Sequence, residues 1–361
     1  MAIMMSPPGA VPAVNPVVSP SARGRMLAMF ALLIGANAGA WIWALLAFHS
    51  HPVLLGTAFL AYTFGLRHAM DADHIAAIDN VTRKLMQQGE RPVGVGFFFS
   101  LGHSTVVFGL SVAIALTSVA IKDRLASFQA IGGVIGTAAS AFFLLAIALA
   151  NLLVLISVYR TFQHVRQGGR FTDENLNLLL SKRGFFGRIF RGLFQLIEHG
   201  WQMYPVGFLF GLGFDTATEV GLLGISATEA TQGLPIWSIL VFPTLFAAGM
   251  ALIDSTVSIL MLNAYGWAFV KPMRKLYYNM IVTLVSVVVA LLIGGIEVLG
   301  LIGDRLKIHG TIWDAVSSLN NNFSVAGFAI IGVFVVSWVV SVFVYRINRY
   351  DEIEVNTDPV G

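Results

Sequence analysis

A chain of 361 residues with 57% hydrophobic and only 11% charged side chains, at a mean hydropathy of +0.78, does not belong to the ordinary water-soluble class. Apolar runs of about 18 or more residues recur along it, the mark of an all-α polytopic membrane protein. The absence of cysteine excludes disulfides and thiolate ligands, and a net charge of +3 gives no footprint for nucleic acid.

Residues 1–22 are rich in Pro, Ala, Val and Ser, with no charged side chain before Arg23, and read as a flexible tail. A cleaved leader does not fit, because the basic pair Arg23 and Arg25 follows this segment and the run Met26–Phe48 is long enough to span. Eight transmembrane helices are expected, at about 26–47, 53–75, 93–120, 131–158, 204–225, 236–262, 276–302 and 323–345. Lys and Arg outside these spans alternate between rich and poor segments, 17 against 4, with both tails on the rich side. Both termini are therefore expected in the cytoplasm. The domain plan is a single transmembrane unit over 23–345 with a basic cytoplasmic loop at about 160–203, then a tail at 346–361. Within that loop Phe185–Leu196 reads either as solvated chain or as an amphipathic surface helix.

The second span ends in Arg67-His68-Ala69-Met70-Asp71-Ala72-Asp73-His74-Ile75, five ionisable side chains in nine residues. On a continuous helix His68, Asp71 and His74 fall at successive i, i+3 positions, so two imidazoles and a carboxylate line one arc. Arg67 lies at its edge, and Asp73 points away unless the helix is distorted. This donor set suits a borderline divalent ion such as nickel or cobalt; a solvated polar helix end is the competing reading. The third span carries His103 near its middle, as a ligand or as a packing donor between helices. The fifth carries Asp215 and Glu219 at i, i+4, on one face, as part of the same cavity or as a proton relay. The sixth carries Asp254. Each carboxylate in hydrocarbon costs about 2.5–3.5 kcal/mol on the lenient insertion scale, so these groups are expected to share a cavity or a cation. The neighbouring Ser and Thr are expected to bond back to helix carbonyls or to support the ligands. Asn37 either reaches this cavity or bonds between helices, Glu297 is expected to snorkel, and the histidines outside the spans are ordinary surface groups.

A faint internal echo pairs Gly65-Leu66 and Asp71-Ala72-Asp73 with Gly211-Leu212 and Asp215-Thr216-Ala217-Thr218-Glu219. It also pairs His103-Ser104-Thr105-Val106 with Asp254-Ser255-Thr256-Val257. Spans two and three would match five and six in opposite orientation, as in inverted-repeat transporters.

The stretch Arg67–Ile75 resembles the span-two signature of the nickel/cobalt transporter (NiCoT) family. The segments Phe99–Val107, Leu212–Glu219 and Gly249–Val257 are similar to that family's motifs in spans three, five and six. The last departs from the pattern, with Ser255 in place of a Thr and Val257 where a second Asp is usual. The resemblance covers nearly all of 26–345. It implies a single-component permease importing Ni²⁺ or Co²⁺ across the cytoplasmic membrane, with eight helices and both termini inside. His68, Asp71, Asp73, His74 and His103 would then be its metal residues, with Asp215, Glu219 and Asp254 completing the cavity. Beyond the metal ion and the lipid bilayer no obligatory partner is expected, nor a cofactor or an enzymatic activity. An efflux permease is the nearest alternative, disfavoured because loop 160–203 holds only His164 and His199 rather than a histidine-rich run. A membrane metalloenzyme is further off: His-Glu-x-x-His is absent, and only three histidines lie within the spans.

Overall fold

The computed structural model describes residues 20–117, 122–167, 197–213, 217–268, 272–320 and 322–347. Asp215, most of the basic segment with its stretch 185–196, and all but the edges of both tails lie outside the described residues. Every regular element within them is helical. In chain order these are α1 (Pro20–Phe48), α2 (Pro52–His68), α3 (Ala72–Gln87), α4 (Val95–Thr117) and α5 (Lys122–Arg166). After a single 3₁₀ turn at Gly200–Gln202 come α6 (Met203–Gly211), α7 (Ala217–Thr231), α8 (Ile236–Ile239) and α9 (Val241–Ala268). The chain ends with α10 (Pro272–Leu306), α11 (Thr311–Asn320) and α12 (Phe323–Ile347).

Six helical stretches are long and apolar enough to cross a membrane: Arg23–Phe48, Val95–Leu116, Ile131–His164, Ile236–Tyr265, Met280–Leu306 and Val325–Tyr345. They coincide with six of the eight expected spans. The other two, the second and the fifth, are broken helices. These are the two spans that the internal echo pairs.

The break in the second span lies inside the charged stretch. The amides of Met70 and Asp71 bond to the carbonyls of Arg67 and His68 at 3.0 and 2.9 Å, closing α2. Asp71 then takes an extended backbone (φ −67°, ψ 146°), and α3 starts at Ala72. Gly327 of α12 packs against the Met70 carbonyl, and a Cβ there would collide with it. An Asp just before a helical run, with a second acid in its first turn, is the sequence signature of such a start. The apolar periodicity running into it from Val53 masked that signal.

The residues beyond His74 do not form a cytoplasmic loop, as the charge count had assumed. They continue α3, whose Arg83 and Lys84 are 1% and 4% exposed. Glu297 is likewise buried rather than snorkelling, and accepts from Ser140 Oγ at 2.8 Å.

Two apolar clusters flank the centre of the bundle. One gathers Ile75, Ile78, Phe99, Leu144, Phe210 and Ile293; the other gathers Ala44, Phe48, Ala61, Phe242, Phe246 and Met250. Between them α4 and α6 cross at backbone contact. Gly102 faces the Tyr204 carbonyl and Gly207 faces the Phe99 carbonyl, and a Cβ at either position would collide. Small residues that admit such approach are the usual basis of helix packing where no hydrophobic driving force acts between helices.

Candidate metal centre

The helix break re-aims the side chains of the charged stretch. His68 closes α2 and His74 sits in the first turn of α3, and their rings lie 4.6 Å apart, edge to face. His103 of α4 completes the set, 4.7 Å from the His68 ring and 4.9 Å from that of His74. One ring nitrogen from each of the three lies within 4.8 Å of the others, and all three residues are buried. Two nitrogens bound to one transition metal at about 2.0–2.1 Å can be at most about 4.2 Å apart. That limit holds for a trans pair; in a tetrahedral set the nitrogens stand about 3.4 Å apart, so the farthest pair would draw together by about 1.4 Å to close on an ion.

Each imidazole has its own oxygen partner. Asp71 does not cap α3; its Oδ2 lies 2.8 Å from His68 Nδ1. With the proton on Nδ1, His68 turns the Nε2 lone pair inward, towards His103 Nε2 at 2.9 Å. Glu219, in the first turn of α7, places Oε1 2.8 Å from His103 Nε2 and 3.8 Å from His68 Nε2. Asp254 of α9 faces His74 Nδ1 at 3.4 Å through Oδ2, and that oxygen also accepts from Ser100 Oγ at 2.6 Å. Thr218 Oγ1 stands 3.3 Å from His68 Nδ1.

His74 Nε2, His103 Nδ1, Asp254 Oδ1 and Asp73 Oδ1 are buried with no hydrogen-bond partner among the described residues. A buried polar group left unpaired costs about 1–3 kcal/mol, so the arrangement is rich in unused lone pairs. Apolar walls close it: Phe99 stands edge-on to His74 at 4.8 Å, and Phe246 lies 5.6 Å from His68. Neutral imidazoles backed by carboxylates, with dry aromatic walls, can take a partly dehydrated transition-metal dication. They offer little to a hard ion that holds its water.

The sequence-derived residues divide clearly. His68, Asp71, His74, His103, Glu219 and Asp254 come together, from α2, the break, α3, α4, α7 and α9. Asp73 is half-buried beside His74 in the first turn of α3, and Arg67 is exposed. Asn37 takes the interhelical alternative: it donates to the carbonyls of Leu33 and Ala248 and accepts from the Tyr62 hydroxyl at 3.0 Å. Thr105 and Thr256 bond back to their own helices as expected. Thr218 takes the supporting role expected of the motif hydroxyls, beside His68, and Ser100, not singled out in the sequence, does the same for Asp254.

Comparison with known proteins points the same way. The chain is 60% identical over 333 residues to the high-affinity nickel transport protein of Cupriavidus necator, covering 92% of this chain and 95% of the relative. It is 44% identical to the nickel transporter NicT of Mycobacterium tuberculosis, over 91% of this chain and 90% of that one. The cobalt transport protein NhlF of Rhodococcus rhodochrous is 41% identical over 79% of this chain and 81% of its own length. No solved structure matches the chain. The pattern of the family described as NicO, high-affinity nickel-transport protein, matches residues 54–344, and with these relatives it shows that this chain belongs to that family.

Proposed function

We propose that this protein imports Ni²⁺ or Co²⁺ across the cytoplasmic membrane, with the ion passing through the His68–His74–His103 cluster. The observation that carries the reading is the convergence of three buried imidazoles from three helices, each beside a carboxylate. The ion is substrate rather than resident metal, since each imidazole already has a protein partner to return to when the ion leaves. His68, Asp71, His74, His103, Glu219 and Asp254 form the transit site. Asp73 and Asp215 flank it by their positions in the same motifs. The bundle would hold eight membrane passes, with the two broken helices as the second and fifth and both termini inside. With Arg83 and Lys84 set aside as buried helix residues, the basic residues still divide 15 to 4, which supports that orientation. The ion needs no protein partner on this reading.

The test is accumulation of radioactive nickel and cobalt at nanomolar concentration in cells expressing the protein, beside His68→Ala/His74→Ala at matched abundance. Removing both imidazoles should lower uptake at least tenfold, equivalent to about 1.4 kcal/mol. Parental uptake by that variant would remove the cluster from the mechanism.

A further inference from the structure

A second buried polar network lies away from the histidines, on α3, α9 and α10. Asp79 of α3 is fully buried; Ser286 Oγ of α10 donates to its Oδ2 at 2.5 Å, and the Tyr265 hydroxyl of α9 donates to its Oδ1. Arg83, one turn further along α3, is 1% exposed. It donates Nε to Ser286 Oγ at 3.2 Å, Nη1 to Thr283 Oγ1 at 3.1 Å and Nη2 to Asn80 Oδ1 at 3.0 Å. Carboxylate and guanidinium thus meet through the shared Ser286 hydroxyl rather than in the bidentate clasp of an ion pair selected for strength.

Position gives the network its meaning. α3 and α9 touch at two levels, His74 with Asp254 at the site and Asp79 with Tyr265 beyond it. Asp79 is about 7.5 Å and Arg83 about 13.5 Å along α3 from His74, at 1.5 Å per residue. Both lie towards the connection between α3 and α4, residues 88–94, which the proposed topology puts on the cytoplasmic side. Asp254, Ser258 and Tyr265 share one face of α9. Ser255 and Ser258 of α9 and Thr82 of α3 are fully buried, with hydroxyls that have no partner among the described residues. Unpaired hydroxyls in a dry interior are costly, and a route that is hydrated when open accounts for them. The network lies on α3 and α9 beyond the His74–Asp254 contact.

We propose that Arg83, held by Asp79 through Ser286, is the inner barrier of the permeation path: a fixed positive charge that keeps cytoplasmic cations from the histidine site. A guanidinium in a narrow, low-dielectric passage repels a dication strongly, which is how arginines exclude cations from other pores. Asp79 makes the barrier tolerable by balancing its charge, and the hydroxyl bridge lets the two part without breaking a direct ion pair. Import then requires α3 to carry Arg83 aside. The break at Asp71 interrupts the helical hydrogen bonding between α2 and α3, so α3 is not rigidly continuous with α2.

This inference rests on the import reading, and the experiment separates the two. Cells are loaded with radioactive nickel, moved to nickel-free medium, and the retained ion is followed in the parent and in Asp79→Asn/Arg83→Gln. The double variant keeps charge balance and shape, so a purely structural pair predicts parental retention. A barrier predicts initial uptake within about threefold of the parent, efflux at least fivefold faster and lower final accumulation, with Arg83→Lys remaining tight. Retention like the parent's in the double variant would overturn the proposal. Should the double variant be absent from membranes, Ser286→Ala removes only the bridge; faster efflux supports the barrier and parental retention overturns it. Failure of the parent to accumulate nickel would instead remove the import reading.

Discussion

Ser100 shows how little of a buried site its ligand residues define. Its single hydroxyl proton lies between Asp254 Oδ2 at 2.6 Å and the Gly96 carbonyl at 3.0 Å, the shorter contact tying one carboxylate to the helix that carries His103. A hydrogen bond to a charged group contributes about 1.5–3 kcal/mol. Ser100→Ala should therefore raise the KM for nickel roughly tenfold with normal abundance, and Ser100→Thr should recover part of the loss. An unchanged KM in the alanine variant would show that Asp254 is fixed by other contacts. Glu219→Gln tests a different atom. The amide keeps the shape beside His103 but removes the charge that offsets a dication, so uptake should fall at least tenfold for both metals. Parental transport by Glu219→Gln would leave the fifth span outside the site. The charged positions were legible in the sequence because a carboxylate or imidazole in an apolar run has no inexpensive explanation. Which ligand Ser100 and Thr218 would support was not legible, because a helical hydroxyl can also bond to its own helix and its tertiary partner depends on how helices cross.

At the scale of elements, the second span illustrates the limits of periodicity. The continuous helix expected over 53–75 put His68, Asp71 and His74 on one arc, and the two imidazoles do converge. They converge across a break, with Asp71 turned onto His68 from an extended backbone. The same error misplaced Arg83 and Lys84. Two basic residues after an apolar run read as loop charges, whereas α3 buries both: Lys84 Nζ donates to the Ile197 carbonyl at 2.8 Å, and Arg83 is enclosed by α10. Burial of a charged helix between other helices leaves no hydropathy signal. The break itself is open to test through Gly327, where a side chain would strike the Met70 carbonyl. Gly327→Leu should displace the turn, lowering nickel uptake severalfold and costing on the order of 1–3 kcal/mol of stability by overpacking. Gly332→Ala on the same helix, with nothing within 4 Å of its added carbon, should be neutral in both measurements. Equal behaviour of the two variants would show that the Met70 turn does not depend on α12.

For the whole molecule, the two broken helices and the two intact ones that follow them form a pattern. The α2–α3 pair and α4 supply His68, His74 and His103; α7, beyond the second break, and α9 supply Glu219 and Asp254. Each imidazole from the first half that faces the second half finds a carboxylate there. This is the chemistry expected when a dication binds at the junction of two related units that move against each other. It requires the two units to have opposite orientation, and hence an odd number of passes between their starts. The proposed topology supplies such an orientation, because the segment 160–203 carries seven basic residues and 226–235 none. The chain has no native cysteine, so one introduced residue reports without background. Gly168→Cys should react with an impermeant maleimide only after the membrane is opened, and Gln232→Cys should react in intact cells. Reaction of both from the outside would place the two loops on one side and remove the inverted relation between the halves. The reverse pattern would keep that relation while placing the Arg83 barrier on the outer side of the site, where it would oppose entry instead of return.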